Sequence, residues 1–257
     1  MGSDWRDVMN SSLLKRAVEA IAESRNTVAL TGAGISVESG IPPFRGKGGI
    51  WEIYDPMEYA TIDAFLKNPG KVWRVLLTTM IDTLKKAIPN PGHLALATLE
   101  TLNRLDTVIT QNVDGLHQLA GNTDVIEFHG SFAACRCMRC AKRTTIDLLD
   151  LSTLPPGCKC GGIYRPDCVF FGEMISPDLL ERSHKIAGRC NVMLVVGTSG
   201  TVQPAAELPM IAKSSGALII EVNPEKTHLT RRVSDIFLKG AAGNVMDHLI
   251  SEVRRCL

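Results

Sequence analysis

The chain has 257 residues, enough to bury the core of one large domain or of a large domain with a smaller one. Its 45% hydrophobic and 21% charged content is ordinary for a globular protein, and a net charge of +1 gives no general attraction to polyanions, so no direct nucleic-acid binding is expected. No apolar run reaches the length of a membrane span and the N-terminus lacks a signal-peptide core, so no membrane partner is expected and the expected compartment is the cytoplasm.

Leu14, Ala17, Val18, Ile21 and Ala22 recur at helical spacing and predict an amphipathic helix over residues 13–24. Thr27-Val28-Ala29-Leu30 predicts a buried strand that stops at the glycine turn Gly32-Ala33-Gly34, with a helix starting near Ile35. Such a turn lets a pyrophosphate approach backbone N–H groups at a helix start. The third glycine of the dinucleotide fingerprint is missing and Ser36 follows instead, so a purely structural turn is the alternative. In Ser39-Gly40-Ile41-Pro42-Pro43-Phe44-Arg45-Gly46, two prolines restrict the backbone before an aromatic ring and a guanidinium, which suits a loop that covers a ligand and pairs with phosphate. Residues 47–89 hold no convincing buried strand; residues 56–65 and 72–88 are predicted helices.

A helix over 93–103 precedes a second strand, Asp106-Thr107-Val108-Ile109-Thr110. Gln111, Asn112 and Asp114 follow it, a pair of amides and a carboxylate able to hydrogen-bond a carboxamide or ribose hydroxyls. His129 stands beside Gly130. Further strands are predicted at 191–196 and 217–222, and helices at 177–187, 205–214 and 245–255. These strands are continuously apolar, as in a parallel sheet covered on both faces. The alternation of strands and helices predicts an α/β fold, a doubly wound, Rossmann-like sheet whose ligands bind where the polar turns follow the strands.

Of eight cysteines, five lie between Cys135 and Cys160. Cys137-Met138-Arg139-Cys140 and Cys158-Lys159-Cys160 form two pairs separated by 17 residues, the spacing of a zinc ribbon, with a second pair one residue tighter than usual. Cys137, Cys140, Cys158 and Cys160 are therefore the expected ligands of one structural Zn²⁺, and Cys135 is a competing candidate. Arg136, Arg139, Lys142 and Arg143 crowd the first knuckle; a zinc-ribbon binding module is the non-enzymatic alternative, against which a solvated charged face is the simpler reading. The predicted organisation is a Rossmann-like domain of residues 1–46, 90–130 and 169–257, with a helical insertion at 47–89 and a zinc-binding insertion at 131–168 forming a smaller lobe.

In order, these segments resemble the sirtuins, the NAD-dependent protein-lysine deacylases. The resemblance rests on Thr31 to Ser36, Ser39 to Gly46, Thr110 to His117, His129-Gly130-Ser131, the two cysteine pairs, Arg165-Pro166-Asp167, Val169 to Glu173, Gly197-Thr198-Ser199 and Val222-Asn223. It covers nearly the whole chain, which looks like a minimal bacterial- or archaeal-type member. It implies NAD and an acyl-lysine protein or peptide meeting in the cleft between two lobes. His129 matches the family's general base, and Gln111 and Asn112 match residues on the nicotinamide ribose. Asp114 and Ile41 match the nicotinamide pocket. Gly32, Ala33, Gly34, Ser36, Phe44 and Arg45 match the phosphate and ribose side. Gly197, Thr198, Ser199 and Asn223 match the adenosine side, with Val113, Pro224 and Ala241 also on the NAD surface. Val169, Phe170, Phe171, Gly172 and Glu173, with Val202, match the peptide-binding edge. The implied products are free lysine, nicotinamide and O-acyl-ADP-ribose; protein mono-ADP-ribosyl transfer on the same scaffold is the alternative.

Two positions depart from the family pattern: Pro43 stands where an acidic residue is common, and the second knuckle is Cys-x-Cys. Desuccinylase-like sirtuins carry a tyrosine and an arginine where this chain has Leu76 and Thr79. With Val72, Leu77 and Met80 these residues predict an apolar acyl pocket that accepts acetyl and longer neutral chains and rejects succinyl.

Overall fold

The computed structural model describes residues 12–44 and 48–257. Helix α1 (Ser12–Glu23) buries Leu14, Ala17, Val18 and Ile21, the stripe its spacing predicts. Strand β1 (Thr27–Thr31) is buried throughout. The turn after it is a 3₁₀ helix, Ala33–Ser39, and not the α-helix expected from Ile35. One cause is visible: the Asn90 side-chain amide donates to the Ile35 carbonyl at 2.7 Å, the acceptor that an α-helical Ser39 N–H would use.

Residues 50–86 form short segments: a 3₁₀ turn (Ile50–Glu52), α2 (Pro56–Tyr59), α3 (Ile62–Lys67), α4 (Pro69–Leu76), a π turn (Leu77–Ile81) and α5 (Asp82–Lys86). The helix expected over 56–65 is thus broken at Ala60-Thr61. There the Thr61 hydroxyl caps α3 by accepting from Ala64 N, and Phe171 takes the neighbouring backbone by bonding Ala60 O and Ile62 N.

The chain continues through α6 (Pro91–Thr101), β2 (Thr107–Thr110), α7 (Leu116–Ala120), β3 (Val125–Glu127), β4 (Gly130–Cys137), β5 (Arg143–Thr145) and β6 (Tyr164–Cys168). It ends with α8 (Pro177–Ala187), β7 (Val192–Val196), α9 (Leu208–Ser214), β8 (Leu218–Asn223), β9 (Ile236–Lys239) and α10 (Ala242–Cys256). Six strands form one sheet in the order β3-β2-β1-β7-β8-β9, and every pairing is parallel. Counted within that sheet, this is the doubly wound order 3-2-1-4-5-6. The four strands expected from sequence are its centre. The edges β3 and β9 bury only alternate residues and so carry no continuous apolar run.

Successive residues of β1 feed opposite faces: Ala29 packs with Leu14, Leu96 and Leu249, whereas Val28 and Leu30 pack with Ala187, Leu208 and Ala212. A second, antiparallel sheet has the order β5-β4-β6. It shares a third core with the short helices, in which Phe65, Trp73 and Met80 meet Cys135, Tyr164 and Phe170. The two segments that interrupt the βαβ pattern therefore bury their apolar faces in each other. Among the described residues, no helix is long and apolar enough to cross a membrane.

Trp73 ties the two halves of the lobe, its indole N–H donating to the Tyr164 carbonyl at 2.9 Å inside the core. Trp73→Phe leaves that carbonyl buried without this donor and should cost about 1–3 kcal/mol. Urea denaturation checks this, and a variant within a few tenths of a kcal/mol of the parent would show that the bond contributes little.

Candidate active site

Strand β1 lies between β2 and β7, so the chain leaves it in opposite directions on its two sides. A crevice opens at such a switch point, outside the carboxyl ends of the strands. Its floor is a close contact between two turns. Gly34 N–H donates to Gly197 O at 2.8 Å, and a Cβ on Gly34 would lie 2.7 Å from the Gly197 Cα. Gly197 has φ +65°, and a Cβ on it would lie 2.3 Å from Ile35 N. Neither position has room for a side chain. The cleft above this floor has a volume of about 1480 Å³.

The residues after β2 are fixed onto this floor. The Gln111 amide donates to Thr198 Oγ1 at 2.9 Å. Asn112 is buried, and its amide donates to Gly32 O at 3.2 Å and to Ser36 Oγ at 3.1 Å. The Ser36 hydroxyl in turn donates a hydrogen bond to Asp114 Oδ2 at 2.7 Å, while Asp114 Oδ1 accepts from Leu116 N at 3.0 Å. Asn112, Ser36 and Asp114 thus form one chain of hydrogen bonds, and the orientation of each amide or hydroxyl is set by the next.

His129 follows β3 and lines the cleft. Its Nδ1 lies 3.0 Å from the Gln111 carbonyl oxygen. A carbonyl can only accept, so Nδ1 carries the proton and Nε2 is left with its lone pair. Burial holds the ring below the ordinary histidine range, and the bond to Gln111 opposes that effect. The result is a neutral imidazole with a free basic nitrogen.

Two more histidines lie beneath the site. Burial lowers His93 to about 4 and His117 to about 3, and their rings sit 4.9 Å apart. His117 Nε2 bonds Thr31 Oγ1 at 2.9 Å, and His93 Nε2 lies 3.4 Å from Ser36 Oγ. Both rings are neutral supports of the polar chain above them.

The residues expected to face NAD and peptide come together. Gly32, Ala33, Gly34, Phe44, Gln111, Asn112 and Val113 line the cleft, as do Gly197, Thr198, Ser199, Asn223, Pro224 and Ala241. So do Val169 to Glu173 and Val202. Ser36, Ile41 and Asp114 line a small adjoining recess. Arg45 lies outside the described residues. Phe44 stacks on Trp51 with ring centroids 5.6 Å apart. Leu76, Thr79 and Met80 reach the cleft, but Val72 does not: it is buried in the lobe core beside Trp73. Glu173 is not free, since Arg165 holds both its carboxylate oxygens, at 2.5 and 2.6 Å.

Sequence reading misses part of the lining. Trp51, Tyr54 and Tyr59 enter from the helical segment, and residues 225–228 with Arg231 and Arg232 enter from the β8–β9 loop. The aromatic cluster after Gly48-Gly49 was a usable signal for the first group. Nothing in the spacing of the second marks it.

At the far end of the small sheet, the Sγ atoms of Cys137, Cys140, Cys158 and Cys160 all lie within 4.8 Å of one another. Tetrahedral zinc with bonds of about 2.3 Å requires sulfurs about 3.8 Å apart. The Cys137–Cys160 and Cys140–Cys158 separations are 3.5 and 3.9 Å, so the donor set fits. Four sulfurs close the coordination shell, and such a site is structural. Cys135 stands outside the cluster, fully buried, and burial pushes its thiol up to about 12. The basic residues nearby are mostly engaged: Arg136 and Arg143 pair with Asp167, and Arg139 donates to Cys160 O.

Comparison with known proteins agrees with this geometry. The Sir2 family model matches residues 32–204. The chain is 48% identical over 250 residues to NAD-dependent protein deacylase 1 of Archaeoglobus fulgidus, covering 97% of this chain and 100% of that protein. It is 46% identical to NAD-dependent protein deacylase 2 of Pyrobaculum aerophilum, covering 93% and 95% of the two chains. A mutant Sir2 homologue in complex with ADP-ribose superposes with a TM-score of 0.90 at 46% identity, covering 94% of this chain and 97% of that one. A mutant Sir2 with deacetylated p53 peptide and 3′-O-acetyl ADP-ribose superposes with a TM-score of 0.88 at 37% identity, covering 93% and 98%. The chain belongs to the Sir2 family.

The four-sulfur cluster should bind one zinc ion per chain, measured by metal analysis of the purified protein. Cys160→Ser should lower occupancy and loosen the small lobe, whereas Cys135→Ser should keep the metal, because metal binding and local folding are coupled. Full occupancy in Cys160→Ser together with loss in Cys135→Ser would give the fourth ligand to Cys135.

Proposed function

We propose that this chain is an NAD-dependent protein-lysine deacylase that removes acetyl and longer neutral acyl groups, giving nicotinamide and O-acyl-ADP-ribose. The observation that carries the reading is His129. Its Nδ1–H is committed to the Gln111 carbonyl, and its free Nε2 stands in a cleft walled by the two strand-end turns. NAD, as the consumed co-substrate, supplies the ribose carbon that receives the acyl oxygen when nicotinamide leaves. His129 Nε2 then takes the proton of a ribose hydroxyl so that this oxygen can attack the acyl carbon. The bond from that carbon to the lysine nitrogen breaks, the lysine amine leaves with a proton, and water adds to the acyl carbon to complete O-acyl-ADP-ribose. Asn112 and Gln111 hold that ribose. Asp114 with Ile41 holds the carboxamide, and the turn Gly32-Ala33-Gly34 faces the phosphates with Ser36 beneath it. The Gly32 and Gly34 N–H groups are donated to Val196 O and Gly197 O and the Ser36 hydroxyl to Asp114, so the turn contributes the close approach that its glycines allow. Thr198, Ser199 and Asn223 take the adenosine side.

The peptide edge is Val169 to Gly172, anchored at one end by Val169 N on His129 O at 2.9 Å and at the other by Phe171 on Ala60 and Ile62. Support for the acyl preference comes from α4 and the π turn. Val75, Leu76, Thr79 and Met80 line the cleft, and the Thr79 hydroxyl is already donated to Val75 O at 2.7 Å. Among the described residues of 48–84 that line the cleft, none is a cation. In this reading residues 1–46, 90–130 and 169–257 form the NAD domain. Residues 47–89 and 131–168 form the lobe that closes the acyl side, with zinc holding its outer end. The thiol-rich knuckle suits a reducing compartment such as the cytoplasm.

Incubation with NAD and an acetyl-lysine peptide should release nicotinamide and free lysine in equal amounts, followed by mass spectrometry. Deacylation at full rate without NAD would sink the reading. His129→Ala should lower kcat by about 10²–10⁴ while keeping the fold. The acid limb of kcat/KM follows from the ring's lowered pKa. The base must be unprotonated, so activity is lost as pH falls through the folded value, below the free-histidine value of about 6.5. An acid limb centred above pH 7 would contradict the buried neutral ring.

For the acyl group, a succinyl carboxylate entering the apolar end loses water without gaining a cation, whereas each buried methylene gains roughly 0.8 kcal/mol. On one peptide, kcat/KM for acetyl and medium-chain acyl groups should exceed that for succinyl by at least about tenfold. Equal turnover would mean that a cation reaches the pocket.

A further inference from the structure

The part of the cleft wall formed by the β8–β9 loop carries charges that the reaction does not use. Lys226, His228, Arg231 and Arg232, from the β8–β9 loop, all line it and are all exposed. Among the described residues, none of these four side chains has an ion-pair or hydrogen-bond partner. Glu225 is the acidic neighbour in the same stretch. The other carboxylates of the lining are engaged: Glu173 is held by Arg165, and Glu38 accepts from Gly243 N at the start of α10. The wall therefore presents three cations and a histidine against one carboxylate, Glu225.

This loop is held in place and is not a loose basic tail. Glu221, fully buried in β8, accepts from the hydroxyls of Thr227, Thr230 and Ser234, which brackets the loop from three sides. Leu229 is buried between the cations and packs on Gly200, where a Cβ would lie 2.4 Å from its Cγ. Gly200 belongs to the turn that carries Val202, on the edge assigned above to the substrate peptide. The cations are thus fixed beside the path of the peptide. Unpartnered cations on a rigid wall of a partly enclosed cleft raise the local concentration of an anionic ligand.

We propose that Lys226, Arg231 and Arg232 select acyl-lysine segments that carry aspartate or glutamate beside the modified lysine. This rests on the deacylase reading and names its substrate class. A polypeptide fits better than a nucleic acid, because the cations share their wall with Val202 and the carboxylate of Glu225 stands at their head. Each exposed pair contributes little, about a fivefold gain at most, so the effect depends on several acting together and is screened by salt.

The test compares kcat/KM on three acetyl-lysine peptides identical except for the flanks, which are Asp/Glu, Asn/Gln or Lys/Arg. The acidic peptide should exceed the amide peptide roughly 5- to 30-fold at low ionic strength, mainly through KM, and the advantage should shrink at high salt. In the Lys226→Gln/Arg231→Gln/Arg232→Gln triple variant the ratio should fall towards one. In Arg231→Glu/Arg232→Glu the preference should turn towards the Lys/Arg flanks, which a merely misfolded variant would not do. Turnover of all three peptides at equal kcat/KM would overturn this inference and leave the deacylase reading intact. So would a triple variant whose only change is a raised KM for NAD on every peptide, since the cations would then serve the dinucleotide. No turnover of any peptide would remove the deacylase reading and this inference with it.

Discussion

The site depends on one close contact, between the turn after β1 and the turn after β7. Gly34 N and Gly197 O meet at 2.8 Å, and no Cβ fits on either glycine. Because the backbones touch, the Thr198 hydroxyl comes within reach of the Gln111 amide, beside the Gly32 carbonyl that Asn112 uses. The loop after β2 is thereby positioned by partners that belong to two other strands. Separating the turns by the width of a methyl group would draw the Thr198 hydroxyl away from the Gln111 amide and leave that amide with Thr31 O alone, while Asn112 would stay on the first turn. The precision of the catalytic side is a consequence of backbone packing, and the side chains inherit it.

Much of this was legible in the sequence, for a physical reason. β1, β2, β7 and β8 are buried on both faces, so their apolar runs are continuous, and ligand groups follow them in the order the fold requires. The edges β3 and β9 bury alternate residues and give only a weak pattern. Residues 33–39 read as a helix start, but a side chain from Asn90, more than fifty positions away, takes the Ile35 carbonyl and leaves a 3₁₀ turn. The same limit applies to the site. Asn112, Asp114 and His129 sit at strand ends and announce themselves. Tyr54, Tyr59 and the basic stretch 226–232 become lining only because a lobe or loop docks against the cleft, and local spacing carries no record of that docking. The protonation of His129 was equally hidden, since it is set by a backbone carbonyl.

The polar layer below the cleft shows how a buried site keeps a single arrangement. Ser36, Asn112, Thr31, Thr110, His93 and His117 are all buried. Burying such groups is costly unless they are paired, and a paired network has few alternative arrangements. Here Thr31 donates to Thr110 and bonds His117, and Ser36 links Asn112 to Asp114. Keeping both histidines neutral matters for the site above. A protonated ring at His93 would attract the Asp114 carboxylate and compete with Ser36 for it. Burial, which lowers His93 to about 4, removes that competitor near neutral pH.

The two walls of the cleft rest on different supports, and this decides what the metal can do. The inner wall is the parallel sheet. The outer wall is reached through β4 and β6, whose near ends join the site at His129 and Val169 and whose far end carries the four sulfurs. Cys168 stands opposite Gly130 and Tyr164 opposite Cys137, four residue steps along β6, about 13 Å at about 3.3 Å per residue, because β4 is bulged between Ser131 and Cys135. A metal at that distance is too remote to polarise a substrate or activate water in the cleft. Its influence on the reaction is mechanical. It fixes the outer end of the β4–β6 pair, and that pair sets where His129 and Val169 stand. Loss of the metal would then loosen the strands around Val169 before it disturbed the His129 ring, whose own partner, the Gln111 carbonyl, belongs to the loop after β2 and not to the lobe.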